Sequence, residues 1–258
     1  MTEAISEALS PFLGEQAQGV ENPPKAGAGG ALMSVFLPDS RQRVSPDQAP
    51  WAAICRVHAK GAALTSKGTG FVVGASWILT AAHVLEGVGP TMTITAEFPG
   101  RPTFVCPHFL VNPHYPPARD PGFDVALLRT PQGAMAAMEL VGLITLNAFD
   151  DHFLAGYRNA KAPAVVAGFP VDREPDLVAG NGPLDGFDAI RIGHFADTTR
   201  EESGGPLLYM SATGAVAMGV HGHGDPLDRI PPQAPNLAAR ITPDMLNWIA
   251  AVKRMNGE

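Results

Sequence analysis

The sequence predicts an all-β protein, a barrel or sandwich of many short strands, closed by one C-terminal helix. Three observations predict it. Glycine (28) and proline (25) fall between apolar runs, where they punctuate turns. Ten apolar runs of strand length follow one another with no helical periodicity between them. Only the last residues switch to apolar spacing of three and four. With 45% hydrophobic and 17% charged residues, the 258-residue chain reads as globular and large enough for one all-β domain or two small barrels.

Residues 1–34 differ from the rest. A short amphipathic stretch at 3–13 gives way to NPPKAGAGGA (22–31), a linker or removable leader with no core of its own. From Val35 strand-length runs begin: AAICRV (52–57), GFVVG (70–74), WILTAA (77–82), TMTITAEF (91–98), TFVCPHFLV (103–111) and DVALLR (124–129). The stretch around 131–150 has no clear pattern. APAVVAGF (162–169), AIRIGHF (189–195), PLLYM (206–210) and AVAMGVHG (215–222) resume it. The end, TPDMLNWIAAVKRM, is a helix with Thr242 as N-cap and Pro243 at its first position. Met245, Leu246, Ile249 and Val252 form its apolar face, and Lys253 and Arg254 suit its negative end.

A net charge of −7 argues against nucleic acid as a partner, since phosphates call for a basic face. No apolar run reaches the ~20 residues needed to cross a bilayer. The N-terminus lacks a basic region and carries Glu3, Glu7 and Glu15, so it does not read as a secretory signal. The expected compartment is the cytoplasm, with export by another route left open. Two cysteines, Cys55 and Cys106, are then expected as buried free thiols.

Three short motifs carry chemistry. TAAHV places His83 directly after an apolar strand, FDVALL opens a buried strand with Asp124, and EESGGP sets Ser203 before a Gly-Gly-Pro turn. A nucleophilic serine needs a general base, and the base needs a carboxylate that fixes its tautomer. Each motif alone is usually structural. Together, in the order His, Asp, Ser and 41 and 79 residues apart, they define a specific constellation that differs in order from the subtilisin and α/β-hydrolase arrangements.

TAAHV, DVALL and SGGP resemble the signature blocks of trypsin-like serine peptidases. Within that family, VFLPDSRQRV (35–44), GTGFVVGASWILTAAHVL, HFADTTREESGGP (194–206) and GVHGHG (219–224) resemble the bacterial glutamyl-endopeptidase (V8-like) branch. The resemblance runs from about 35 to 255. It implies two six-stranded antiparallel Greek-key barrels, at 35–130 and 131–241, with the active site between them and the helix at 242–258. It implies a serine endopeptidase acting on protein or peptide substrates without cofactor. Ser203 would be the nucleophile, His83 the base and Asp124 its orienting group, with the amides of Glu201 and Ser203 as oxyanion donors.

Asp197, Thr198 and His221 match positions that line the family's S1 pocket. Thr198 and His221 would hold a carboxylate or amide at P1, whereas a free Asp197 would select Arg or Lys. Both readings stay open, with Glu, Gln or Asp favoured because a pocket histidine competes with a cationic side chain. The family's precursors also imply cleavage between Ser34 and Val35, with Glu202 as an acceptor for the freed amino group. One departure matters. Glu201 replaces a glycine whose conformation a Cβ resists, so a weak or inactive homologue serving as a binding module is the alternative. An esterase on the same fold is a third reading. His221 and His223, at i and i+2 and followed by Asp225, would face one side of a strand. With no third ligand evident they read as pocket or structural residues, with no metal. His58, His108, His114, His152 and His194 read as strand or loop residues.

Overall fold

The computed structural model describes residues 33–36, 38–62, 64–87, 92–137, 143–224 and 234–258. The predicted stretches 3–13 and 22–31, and Asp225, lie outside the described residues.

The first barrel uses β3 (Ile54–Lys60), β4 (Thr65–Gly74), β5 (Trp77–Thr80), β6 (Thr93–Glu97), β7 (Phe104–Cys106), β8 (His108–Val111) and β9 (Ala126–Arg129), in the order β7-β6-β3-β4-β5-β9-β8. β7 and β8 are one run interrupted at Pro107, which has no N–H to give the ladder. That run pairs with β6 at its start and with β9 at its end, so six strands nearly close the sheet on itself. Apolar side chains fill it. Phe71, Ile78, Leu79, Leu127 and Leu128 are fully buried, as the wholly apolar runs FVV, WIL and ALL require.

The second barrel is closed. β11 (Pro163–Gly168), β12 (Val178–Phe187), β13 (Arg191–His194), β15 (Pro206–Ser211), β16 (Gly214–His223) and β17 (Asn236–Arg240) run β16-β15-β11-β12-β13-β17, and β17 pairs back onto β16. All six pairings are antiparallel. β10 (Thr145–Leu146) adds a short parallel pairing to β16. Helix α3, Pro243–Met255, starts where the sequence puts it, with Thr242 Oγ1 accepting the Met245 amide at 3.2 Å. Cys55 and Cys106 are free and buried.

Two expectations need correction. The segment from Val35 was assigned to the first barrel, yet the chain's first strands join the second. β1 (Met33–Ser34) pairs with β14 (Thr198–Thr199), and β2 (Gln42–Arg43) with β12. The strands are also not free of intervening helix. Ala134–Ala137 (α1) forms one turn and Asp151–Asn159 (α2) is a true helix. Asp150 caps α2 by accepting the Phe153 amide at 2.7 Å, and only Leu154 and Tyr157 are buried, too short a pattern to register as periodicity.

Arg41 fastens the N-terminal segment. Its buried guanidinium donates to Asp172 Oδ1 and Oδ2 at 2.9 and 2.8 Å and to Asp39 Oδ1 and Oδ2 at 3.0 Å each. Arg41→Met leaves half-buried Asp172 without its counter-charge and Asp39 with Arg173 alone, 2.7 Å from its Oδ2. We expect it to lower the unfolding free energy by about 3 kcal/mol in a urea titration.

Candidate active site

His83 sits in a short 3-10 turn (Ala82–Leu85) that follows β5. Asp124 ends a second such turn (Pro121–Phe123), whose proline leads it and whose first amide is capped by Asp120. From there the chain enters the buried strand β9. Asp124 is therefore 1% exposed, and its carboxylate grips His83 twice: Oδ2 meets Nδ1 at 2.5 Å and Oδ1 accepts the His83 amide at 2.9 Å. Burial pushes this carboxyl up, but the imidazoles of His223 and His83 more than offset it and hold Asp124 well below the usual carboxylate range.

Ser203 comes from the second barrel, on the loop between β14 and β15. Its carbonyl accepts the Thr69 amide of β4 at 2.8 Å, and the Gly204 amide donates to the His221 carbonyl at 2.7 Å. Gly204 has φ +91°, and a Cβ there would lie 2.1 Å from the Thr69 carbonyl, so only glycine fits. The Ser203 hydroxyl donates to the Gly222 carbonyl at 3.1 Å. Among the described residues it has no bond to His83, and the amides of Glu201 and Ser203 donate to nothing.

Glu201 takes the conformation expected of the glycine it replaces, with φ +76°. For a residue with a Cβ this costs ~1–2 kcal/mol. Its carboxylate lies 3.7 Å from Lys67 Nζ, which also pairs with Glu174 at 2.9 Å, so it belongs to a charge cluster bridging the barrels rather than standing free in solvent.

Asp197 does not line an open pocket. Its Oδ1 accepts the Phe36 amide, and its Oδ2 accepts the Ser40 amide and hydroxyl at 2.6 and 2.5 Å. Both oxygens are occupied, which removes the physical basis for selecting Arg or Lys. Gly180 lets this happen, since a Cβ there would meet the Asp197 carbonyl at 2.1 Å.

Thr198 and His221 are buried in one cluster with His194, expected only as a strand or loop residue, and with Asn236, which the sequence reading passed over. Asn236 pairs with His194 across β13 and β17, and its amide donates to Thr198 Oγ1 at 3.0 Å and to the Ala196 carbonyl at 2.8 Å. The His194 and His221 rings meet edge to face at 5.3 Å. Burial pushes His194 down to about 3, and burial beside His194 and His223 pushes His221 well down, so both rings are neutral. His194 carried no sequence signal beyond its place in an apolar strand.

His223 also departs from expectation. A bulge between His221 and His223 breaks the period of two, so the rings part. His221 goes to His194, while His223 Nε2 lies 3.0 Å from Asp124 Oδ2 at an angle that makes no hydrogen bond.

Glu202, predicted as an acceptor, is wholly buried. Its Oε2 accepts the Thr199 amide at 2.6 Å and its Oε1 has no partner. Burial, only partly opposed by the Thr199 amide and Arg41, raises it to about 8. Between its unfolded value of 4.5 and about 8, the folded protein keeps a proton that the unfolded chain has lost. Stability therefore falls as pH rises through that window. Glu202→Gln removes this slope. Its unfolding free energy should match the wild type at pH 4.5 and exceed it at pH 8, measured by urea titration at both.

The trypsin-like peptidase domain model matches residues 68–218, more than half of the chain and including His83, Asp124 and Ser203. A solved structure described as a Glu endopeptidase in complex with MPD superposes with a TM-score of 0.67 at 17% identity, over 83% of this chain and 96% of its own. A comparison with curated protein sequences finds no match. With the double barrel and the His, Asp and Ser motifs on its two halves, the chain belongs to the trypsin-like peptidase family and is a serine endopeptidase of the trypsin-like kind.

Proposed function

We propose that the enzyme cleaves peptide bonds after a residue whose side chain accepts hydrogen bonds, Glu before Gln or Asp, through an acyl-enzyme on Ser203. The double grip of buried Asp124 on His83 carries this reading. With Nδ1–H tied to Asp124, the neutral imidazole keeps its lone pair on Nε2, the atom that takes the serine proton, and Asp124 stabilises the imidazolium that results. The unpartnered amides of Glu201 and Ser203 serve as oxyanion donors, a pair in which each is worth ~3–4 kcal/mol of barrier. Contact between the serine and histidine side chains commonly tightens only when substrate binds.

The P1 preference rests on Thr198, His221 and Asp197. Thr198 Oγ1 already accepts from Asn236, so its own O–H is left to donate. A neutral His221 adds an N–H. Two donors and no free carboxylate suit an acceptor side chain, in keeping with the Glu endopeptidase to which the fold is similar. Matched peptides with Glu, Gln, Asp, Arg or Lys at P1 test this. Glu should be cut fastest, and faster cutting after Arg would overturn the preference. Ser203→Ala must abolish both cutting and fluorophosphonate labelling; a wild type that takes no label would instead be the inactive binding module.

The same panel, run on the full chain and on one starting at Val35, tests regulation by processing. The register sets Ser34 opposite Thr198, and the next residue, Thr199, donates to Glu202. A new α-ammonium at Val35 would arise next to the strand that leads to Glu202, whose buried Oε1 has no partner among the described residues. The shortened chain is expected to be the faster enzyme, and equal rates would remove the zymogen reading.

Glu201→Gly tests the departure from the family pattern. It relieves the left-handed strain and takes a carboxylate from the rim of the oxyanion site, while losing a half-exposed pairing with Lys67 worth ~0–1 kcal/mol. Turnover is expected to rise several-fold with the melting temperature unchanged or higher. Equal or lower turnover with an intact fold would show that Glu201 does not restrain the enzyme.

A further inference from the structure

We propose that His83, Asp124 and His223 form a binding site for a transition-metal dication of the Zn2+ class, and that its occupation switches the peptidase off. Each residue offers one ligand atom, and the three atoms lie within 4.8 Å of one another. His83 Nδ1 and His223 Nε2 stand 2.5 and 3.0 Å from the same carboxylate oxygen, Asp124 Oδ2. Ligand atoms around a tetrahedral ion sit about 3.3 Å apart, so the two separations to Asp124 Oδ2 need open by less than about 1 Å, and the two imidazole nitrogens, within 4.8 Å of each other, need close by no more than about 1.5 Å.

Two imidazoles, one carboxylate and an open fourth position make a donor set suited to Zn2+, Co2+ or Cu2+ rather than Mg2+ or Ca2+. His223 supplies the second, independent observation. Its Nε2 is buried and 3.0 Å from the carboxylate, at an angle too poor for a hydrogen bond, and a nitrogen so placed becomes a ligand once its ring carries its proton on Nδ1. Gly222 keeps the space clear, since a Cβ there would come within 3.1 Å of Asp124 Oδ2. The His83 and His223 side chains are 28% and 37% exposed, so an ion can enter from solvent.

The consequence for His83 follows from its tautomers. While Nδ1–H faces Asp124, the lone pair sits on Nε2. A metal on Nδ1 takes that nitrogen's lone pair, and the single proton of the neutral ring moves to Nε2. No proton is gained or lost overall, but the atom that must accept the Ser203 proton is now capped. The metal also draws on the Asp124 charge that would stabilise the imidazolium.

The blocking step rests on the proposed roles of Ser203 and His83, whereas metal binding does not, and the experiment separates them. Co2+ is titrated into the full chain and followed by its visible absorption, which reports few-coordinate nitrogen and oxygen ligation without any need for activity. One equivalent should bind to the wild type and to His152→Phe, a surface control. His223→Phe should bind more than 100-fold more weakly, beyond the ~10–100-fold that loss of an outer-shell partner costs. His223→Cys, which restores a ligand, should recover binding with a thiolate charge-transfer band. In the second arm, the ratio of fluorophosphonate labelling with and without Zn2+ is taken within each variant. It should fall at least tenfold for the wild type, recover with EDTA, and stay near one for His223→Phe. Failure of Co2+ to bind the wild type, or equal binding to His223→Phe, overturns the site. Binding at His223 without loss of labelling overturns the switch and leaves the site standing.

Discussion

The backbone bond from Thr69 to the carbonyl of Ser203, at 2.8 Å, is the constraint on which the rest of the site depends. It ties the nucleophile loop of the second barrel to β4 of the first. On the far side Gly204 bonds the carbonyl of His221, and its positive φ lets the loop pass between the two strands without a side chain in the way. The loop is therefore clamped between barrels rather than anchored in one. His83 and Asp124 arrive from the first barrel, His221 and His223 from the second, and their relative positions are set by the seam that this bond crosses. Small shifts at such a seam change alignment of reacting groups, to which catalysis is acutely sensitive.

A second set of contacts runs from the N-terminal segment to the same loop. Asp197 holds Phe36 and Ser40, Arg41 holds Asp172, and Asp172 accepts the hydroxyl of Thr199, whose amide in turn bonds Glu202. The order of residues 36–41 is thus coupled to the conformation of 197–202, which includes both Thr198 and the Glu201 amide. The departure from a glycine at 201 fits this frame. A residue with a Cβ stays left-handed only where its surroundings over-determine the turn. Here Thr69 Oγ1 bonding the Glu201 carbonyl at 2.9 Å and Lys67 near its carboxylate supply that restraint from the first barrel.

How much of this was legible follows from the range over which each feature is encoded. The strands were visible because the runs WIL (77–79) and VALL (125–128) are wholly apolar and such runs are bounded by turn residues. Helix α3 was visible because Thr242 and Pro243 mark its start locally. The motifs around His83, Asp124 and Ser203 were recognisable as blocks, and the barrel arrangement followed from their family resemblance. Helix α2 was not visible, because its nine residues bury only two side chains. The pairing of β1 and β2 with the second barrel depends on partners more than a hundred residues away. Asp197 illustrates the limit best: its type and position suggested a cation pocket, but what a carboxylate selects depends on who already occupies it, and Phe36 and Ser40 give no hint of that in the sequence. His223 was misread for a local reason, since one bulge at Gly222 reverses the face that strand alternation assigns.

The unpartnered buried polar atoms of the described residues are not spread evenly. Arg56 Nη2, His58 Nε2 and Thr130 Oγ1 lie in the first barrel, but both ring nitrogens of His194, Nδ1 of His221, Nε2 of His223, Oδ1 of Asn236 and Oε1 of Glu202 belong to the strands and loop around Ser203. Each such atom costs ~1–3 kcal/mol when left without a partner. A core that served stability alone would replace these residues with apolar ones of similar volume. Their concentration on one side of the cleft is instead what a site looks like when its missing partners come from outside the chain. His194 and His221, held neutral by burial, can each give or take one hydrogen bond without first losing a charge. Under the proposed preference, neutral donors in a dry wall would bind a side-chain carboxylate or amide through geometry and not through bulk charge, which would let a protein of net charge −7 take an acidic side chain into a buried pocket.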